Sequence, residues 1–430
     1  MSISCGLNDK KRSKWLLVLE ACVMNCFMRR LTSIISALFA ENNGIISALE
    51  SQMPNRYIYE HSSWPHFTWR QNDLARQLSE VRLSQGILIG KMVSLGFEQM
   101  TETVVNSLTD EVQKSNEIEG ERLNREQVRS SIARRLGIDD GGLVASQRNI
   151  DGVVEMMIDA TQNYDKPMTE ERLFRWHVDL FPSANSRIMP LTVAAWRDDQ
   201  SGPMQVVSGR VGRQKVHFEA PEASRIPDEM RRFLDWFEAT TDCDPLQKAA
   251  MAHLWFVTIH PFQDGNGRIG RAIADMLLAR SEGSPQRFYS MSSQILTERT
   301  TYYEILESTQ KGDMDITAWM QWFLSCLGRA LMNATVNIDG IVRKERFWQQ
   351  FREITINDRQ RRIINMLLDD FYGKLTSSKW ATITSVSQDT ASRDIEDLVG
   401  KGVLMKDEFG GRSTSYSLRT SHGDSRTSMT

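Results

Sequence analysis

The chain has 430 residues, 40% of them hydrophobic and 25% charged. That length allows two or three domains, and the apolar content suffices for sizeable cores. A net charge of −3 argues against a generic nucleic-acid coat and against a polybasic membrane binder.

The five cysteines, at 5, 22, 26, 243 and 326, form no CxxC pair and no regular framework. That usage fits a reducing cytoplasm, and no zinc site is expected. Residues 1–52 are expected to be a poorly ordered or spurious extension. Lys10, Lys11, Arg12 and Lys14 precede an apolar stretch from Trp15 to Met28, superficially like a secretory signal. Glu20 and Asn25 interrupt it, Arg29 and Arg30 end it, and no small-residue cleavage site follows. It is too short to span a bilayer. Met53 is the favoured start, because coherent domain-like sequence begins at Tyr57.

Residues 53–95 read as a small N-terminal module. Tyr57, Tyr59, Trp64, Phe67 and Trp69 are an aromatic run of the kind that packs a module onto its neighbour. Leu74, Leu78, Val81, Leu83, Ile87 and Leu88 then recur at helical spacing. A second helix is predicted over 97–119, with Val104, Val105, Leu108 and Val112 on one face and Gly120 as its stop. Helices are expected over 124–136, 146–163 and 169–181. The stretch 202–218 is β-branched and punctuated by Gly209 and Gly212, a hairpin signal. Helices resume at 225–239, 245–259, 268–280, 298–309 and 315–333. The fold class is therefore mostly α, a helical bundle over 96–340 with one hairpin.

Beyond 358 a third unit is expected. Helix 358–371 and the pair around Trp380 and 387–399 read as helix-turn-helix. Gly402 to Met405, Gly410-Gly411 and Tyr416 to Leu418 suggest a two-stranded wing, completing a winged-helix pattern over 358–420. Residues 421–430 are expected to be a disordered tail.

Chemistry concentrates in His260-Pro261-Phe262-Gln263-Asp264-Gly265-Asn266-Gly267-Arg268-Ile269-Gly270-Arg271. Pro261 ends one helix, and Ile269, Ile273 and Leu277 mark the buried face of the next. The glycines between them let backbone N–H groups approach a ligand, and a loop feeding a helix N-terminus is an anion site. Arg268 and Arg271, three apart, project to one side. Asp264 is a hard oxygen ligand suited to Mg²⁺. His260 can accept a proton from an attacking hydroxyl. Anion cradle, metal ligand, base and cations are the parts that phosphate-ester transfer needs.

This run resembles the signature of the Fic family, HxFx[D/E]GNGRxxR, at every specified position. The resemblance covers residues 100–335, and the segment near 57–90 looks like the N-terminal module of one Fic subgroup. It implies a protein adenylyltransferase that moves AMP from ATP to a Ser, Thr or Tyr hydroxyl and releases pyrophosphate. His260 would be the base and Asp264 would hold Mg²⁺ on the α- and β-phosphates. Gly265 and Gly267 would line the anion hole, and Asn266 would position the α-phosphate. Arg268 would hold the β-phosphate and Arg271 the γ-phosphate. Tyr302, Tyr303 and Gln310 sit where the family places part of the adenosine pocket; relatives often have Asn in place of Gln310. The hairpin at 204–218 would be the target-docking flap, with Val216, His217 and Phe218 pairing with an extended target segment.

Ser115-Asn116-Glu117-Ile118-Glu119-Gly120 fits the family's inhibitory pattern [S/T]xxxE[G/N]. Ser115 and Glu119 share a helix face. Glu119 is expected to pair with Arg271 where the γ-phosphate must sit. The resemblance leaves other outcomes open: removal of AMP, transfer of UMP, phosphate or phosphocholine, or a DNA-binding regulator that senses nucleotide. The expected partner is a target protein on the flap, with a homodimer and self-AMPylation admitted and no membrane. Residues 358–420 hold ten Lys/Arg against nine Asp/Glu, and the recognition helix carries Asp389, Asp394, Glu396 and Asp397 against Arg393. Protein contact is therefore favoured over DNA, although Arg412 at the wing tip keeps DNA in play.

Overall fold

The computed structural model describes residues 56–93, 95–138, 144–182, 191–200, 202–209, 213–369, 371–407 and 414–419. The extension 1–52, the wing turn at 410–412 and the tail 421–430 lie outside them. Among the described residues the architecture is mostly α: fourteen α-helices and two separate two-stranded antiparallel sheets.

The aromatic run forms a short 3₁₀ turn at Ile58–Glu60 and leads into α1 (Gln71–Val93). Then come α2 (Phe97–Ile118), α3 (Arg125–Leu136), α4 (Arg148–Gln162) and α5 (Glu170–Leu180). Strands β1 (Gln205–Ser208) and β2 (Lys215–Glu219) form the hairpin, with a register irregularity between Val206 and Val207. Helices α6 (Ile226–Glu238), α7 (Pro245–Ile259), α8 (Asn266–Glu282), α9 (Met291–Thr297), α10 (Arg299–Gln310) and α11 (Thr317–Gln350) follow. The C-terminal segment holds α12 (Asp358–Leu368), α13 (Ser377–Thr384), α14 (Gln388–Gly400), β3 (Leu404–Lys406) and β4 (Tyr416–Leu418).

Helix α7 is the axis of the larger core. Asp244 caps it through a box with Gln247, and Pro245 occupies its first turn, where no N–H is missed. From Leu246 to Ile259 every residue but Lys248 is buried. A helix apolar all round belongs inside a larger protein. It stops at His260, whose φ of 52° and ψ of 57° are left-handed, with Pro261 barring continuation. Helix α8 starts after Gly265, at φ 84°, and is buried from Arg268 to Ala279. Two fully enclosed helices thus meet through the six residues 260–265, and the site sits on that connection.

One apolar cluster runs from Tyr57 to Ile338, and a second from Phe347 to Leu404. Helix α11 belongs to both, placing Trp319, Leu331 and Ile338 in the first and Phe347 in the second. Trp380 is wholly buried in the second cluster. Asp394 on α14 is buried too, held by Arg359 at 3.0 Å and by Asn357 at 3.1 Å. That carboxylate is therefore turned inward.

Candidate active site

The loop is tied to itself before it touches anything else. The Asn266 side chain accepts the Phe262 N–H at 2.9 Å and donates to the Phe262 carbonyl at 2.7 Å. Asn266 is thus a buckle across the turn. Phe262 beneath it is fully buried and stacks on His177, ring centroids 4.2 Å apart. Burial holds the His177 pKa down, to about 4, so that ring packs as a neutral wedge. Gly265 has no room for a side chain: a Cβ would sit 3.0 Å from the Phe181 ring and 3.1 Å from Leu180. Its left-handed φ would also strain any other residue.

His260 stands at the end of α7 with Nδ1 3.1 Å from the Val257 carbonyl. A carbonyl only accepts, so Nδ1 carries the proton and Nε2 of the neutral ring is left with its lone pair. Burial pushes the His260 pKa below its usual value, which keeps that lone pair available at neutral pH. Arg197 fixes the backbone behind it. Its Nε donates to the His260 carbonyl at 2.8 Å, its backbone N–H donates to the Pro261 carbonyl at 2.9 Å, and its guanidinium also reaches Pro221 and Asp199. Arg197 is 3% exposed and joins the loop to the end of the hairpin.

Both loop arginines are buried, and each faces a carboxylate from beyond α2. Arg271 Nη1 lies 2.8 Å from Glu119 Oε1, while Arg271 Nε and Nη2 donate to the hydroxyl and carbonyl of Ser115 at 2.9 and 2.8 Å. Glu119 also covers the loop backbone: a Cβ on Gly267 would lie 2.2 Å from Glu119 Oε1. Arg268 Nη1 contacts Glu121 Oε2 at 3.0 Å and Asn116 Oδ1 at 3.4 Å, and its guanidinium lies 5.1 Å from the Phe181 ring centre. Arg268 Nε and Arg271 Nη1 are buried without an aligned hydrogen-bond acceptor. For Arg271 Nη1 the contact to Glu119 is close enough for an ion pair but poorly directed. Two under-satisfied guanidinium donors beside a glycine backbone are a site shaped for a multivalent anion.

Asp264 is half exposed; its Oδ1 accepts the Gly265 N–H at 2.6 Å and lies 3.5 Å from Arg268 Nη2. Among the described residues no group of three His, Cys, Asp or Glu side chains is placed to hold a metal ion by itself. Asp264 fits Mg²⁺ only in the manner usual for that ion, as one carboxylate completed by phosphate oxygens.

The three residues expected at an adenosine pocket divide. Tyr302 is buried and its hydroxyl meets His253 Nε2 at 2.9 Å; His253 Nδ1 in turn donates to the Gly270 carbonyl at 3.0 Å. Gln310 is buried and donates to Thr258 Oγ1 at 3.2 Å. Tyr302 holds α10 against α7 and, through His253, is linked to α8, while Gln310 holds α10 against α7. Tyr303 is 37% exposed, with its hydroxyl 3.5 Å from the Ile118 carbonyl next to Glu119. Of the three it alone offers a face to solvent.

The hairpin is held through two consecutive residues of β2, Phe218 and His217. Phe218 is buried against Tyr57 and Tyr59, so it can offer a target main chain but no side chain. His217 Nδ1 lies 2.5 Å from Glu307 Oε2 on α10, and His217 Nε2 lies 2.5 Å from the Ser208 hydroxyl. Lys311 and then His217 hold the Glu307 pKa down, to about 2. Val216 is half-buried and pairs with Val207 across the hairpin.

His260, Asp264, Gly265, Asn266, Gly267, Arg268 and Arg271 were visible as one run, and Ser115 with Glu119 as a second. Sequence reasoning missed Arg197, Asn116, Glu121, Phe181 and His177. Only Glu121 left a trace, as a second carboxylate two residues past Glu119.

Residues 167–278 match the Fic/DOC family, and residues 57–138 match a domain of unknown function, DUF4172. The chain is similar to protein adenylyltransferase fic-1 of Caenorhabditis elegans, 31% identical over 114 residues, 25% of this chain and 21% of that one. It is 35% identical over 104 residues to protein adenylyltransferase Fic of Drosophila willistoni, 24% of this chain and 19% of that one. Against protein adenylyltransferase Fic of Drosophila mojavensis it is 26% identical over 220 residues, 50% of this chain and 38% of that one. The matched part is thus well under half the length of each of these relatives. A crystal structure of a Fic family protein from Desulfovibrio desulfuricans G20 superposes with a TM-score of 0.48 at 22% identity, covering 84% of this chain and 99% of that one. The loop 260–271 falls inside the matched span, and residues 167–278 of this chain are a Fic/DOC family domain.

Proposed function

We propose that this chain is a protein adenylyltransferase, held back by Glu119, that transfers AMP from ATP to a Ser, Thr or Tyr hydroxyl of a target protein. The observation that carries this reading is the seat of the Glu119 carboxylate, on Arg271 and over the Gly267 backbone. A carboxylate held by a buried guanidinium and a helix N-terminus marks where a phosphate binds. The family domain and the similarity to proteins named adenylyltransferases support the same chemistry.

In this reading the triphosphate lies along the start of α8, with its β- and γ-phosphates on Arg268 and Arg271. Asp264 would hold Mg²⁺, which supplies charge neutralisation on the phosphates. The target segment pairs with the flap and brings its hydroxyl to His260. That hydroxyl gives its proton to Nε2 as its oxygen bonds to the α-phosphorus; the bond to the bridging oxygen breaks and pyrophosphate leaves. The imidazolium is steadied through Nδ1 by the Val257 carbonyl. Glu119 must leave Arg271 before the γ-phosphate can settle, so the wild-type chain is slow. No helix among the described residues is long and apolar enough to cross a membrane.

The test is transfer of label from α-labelled ATP to lysate proteins. Glu119→Gly is expected to label at least tenfold more than wild type, and adding His260→Ala is expected to abolish the gain. If Glu119→Gly labels no more than wild type, inhibition by Glu119 is wrong. If the His260→Ala double variant labels as strongly, the base is wrong.

A further inference from the structure

The turn after α2 delivers two carboxylates, not one. Gly120, at φ 86°, reverses the chain between Glu119 and Glu121. Glu119 reaches Arg271 at 2.8 Å and Glu121 reaches Arg268 at 3.0 Å. Asn116, wholly buried at the end of α2, gives Arg268 a further acceptor at 3.4 Å.

We infer that Glu121 is a second inhibitory residue, acting on the subsite of Arg268 as Glu119 acts on that of Arg271. This rests on the nucleotide reading above, in which Arg268 holds the β-phosphate and Arg271 the γ-phosphate. Glu119, Gly120 and Glu121 then present one anion to each phosphate-holding cation. A nucleotide must displace as many carboxylates as it has phosphates beyond the first. AMP displaces none, ADP competes with Glu121, and ATP competes with both.

A solvent-exposed ion pair is usually worth little. This one is lopsided: the Glu121 side chain is 51% exposed, but that of Arg268 is 4% exposed. Arg268 also has a buried Nε without an aligned acceptor. An anion that satisfies the guanidinium more fully than Glu121 does has a reason to replace it. Because Glu121 stands in solvent, it can swing away without opening the core, whereas Glu119 must clear the loop backbone. The order of release is therefore Glu121 first and Glu119 second.

The experiment compares equilibrium binding of AMP and ADP to full-length Glu119→Gly and to the double variant Glu119→Gly with Glu121→Gln. Removing Glu119 in both isolates the second contact, and binding is read without catalysis. The double variant is expected to bind ADP about fivefold more tightly, the scale of one half-exposed ion pair, and AMP with unchanged affinity. The gain in ADP affinity is expected to shrink at high salt. Equal ADP affinity in the two variants overturns the inference. So does an equal gain for AMP, which would mean that residue 121 acts through the shape of the turn. If neither variant binds ADP, the inference falls together with the nucleotide reading. If both bind it equally, the nucleotide reading stands and the second contact alone is refuted.

Discussion

In the proposed reaction His260 is the general base, and its surroundings suit it to that role. Its Nδ1–H is committed to the Val257 carbonyl, and burial disfavours the imidazolium. A histidine whose folded pKa lies below its unfolded value binds its proton later as pH falls, so the neutral, competent form persists further into acid. The acid limb of kcat/KM for Glu119→Gly is therefore expected below pH 6.5, the ordinary imidazole value. A limb centred above that value would show that the free enzyme's essential base is some other group. Arg271 teaches the complementary lesson. It is 2% exposed, with Ser115 on two of its nitrogens and Glu119 on the third. A buried cation keeps a counter-anion, so whatever displaces Glu119 must itself bring negative charge to Arg271.

Between elements, α2 and α8 are joined by an unusual contact one turn below the loop. Glu111 on α2 and Asp275 on α8 are 4% and 3% exposed, and Glu111 Oε1 and Asp275 Oδ2 are both buried without a donor. Glu111 Oε2 accepts from Ser290 and from the Ser292 N–H, and Asp275 Oδ1 accepts from Arg287 at 2.8 Å. Burial, and then the neighbouring Glu111, push the Asp275 pKa well up despite Arg287. Asp275 therefore keeps its proton above the ordinary carboxylate range. The sign of the effect follows from linkage. An acid whose folded pKa exceeds its unfolded one stabilises fully below the unfolded value. That contribution is lost as pH rises toward the folded value, at a limiting slope of about 1.4 kcal/mol per unit for one proton. Glu111→Gln supplies an amide donor to Asp275 and removes the need for that proton. Its melting temperature is expected to gain on wild type as pH rises above the ordinary carboxylate range. Parallel curves for the two proteins would mean that Asp275 holds no extra proton in the folded state. The contact lies on the same two helices as Ser115 and Arg271.

Across the whole molecule, what sequence made legible was what is local. The loop 260–271 could be read because all its parts are contiguous, and Glu119 because it follows Ser115 by one helical turn. Arg197 and His177 could not, since they reach the loop from distant segments and carry no motif signal, and Asn116 sits at an unspecified position of its pattern. Asn266 was assigned to a phosphate, yet its side chain closes the turn on Phe262. Tyr302 and Gln310 were placed at a pocket wall, yet their hydrogen bonds face the core. Helix spacing shows which face of a segment is apolar, but not whether a polar tip on that face meets solvent or another helix. Helix α11 was expected to end at 333 and runs to Gln350. Its later turns span two cores, with Ala334, Ile338 and Val342 on the first and Phe347 and Trp348 on the second. Helix α9 was not anticipated, being seven residues long and set by the Ser290 cap rather than by periodicity.

The proposed chemistry and its inhibition both require that the backbone of Gly267 beside Arg271 be an anion seat that Glu119 fills. The most direct measurement is a crystal structure of Glu119→Gly with a non-transferable ATP analogue and Mg²⁺. The γ-phosphate is expected on Arg271 in the position left by the carboxylate, with the α-phosphorus facing His260 Nε2. A triphosphate bound elsewhere, or an Arg271 that keeps Ser115 and makes no phosphate contact, would contradict the account.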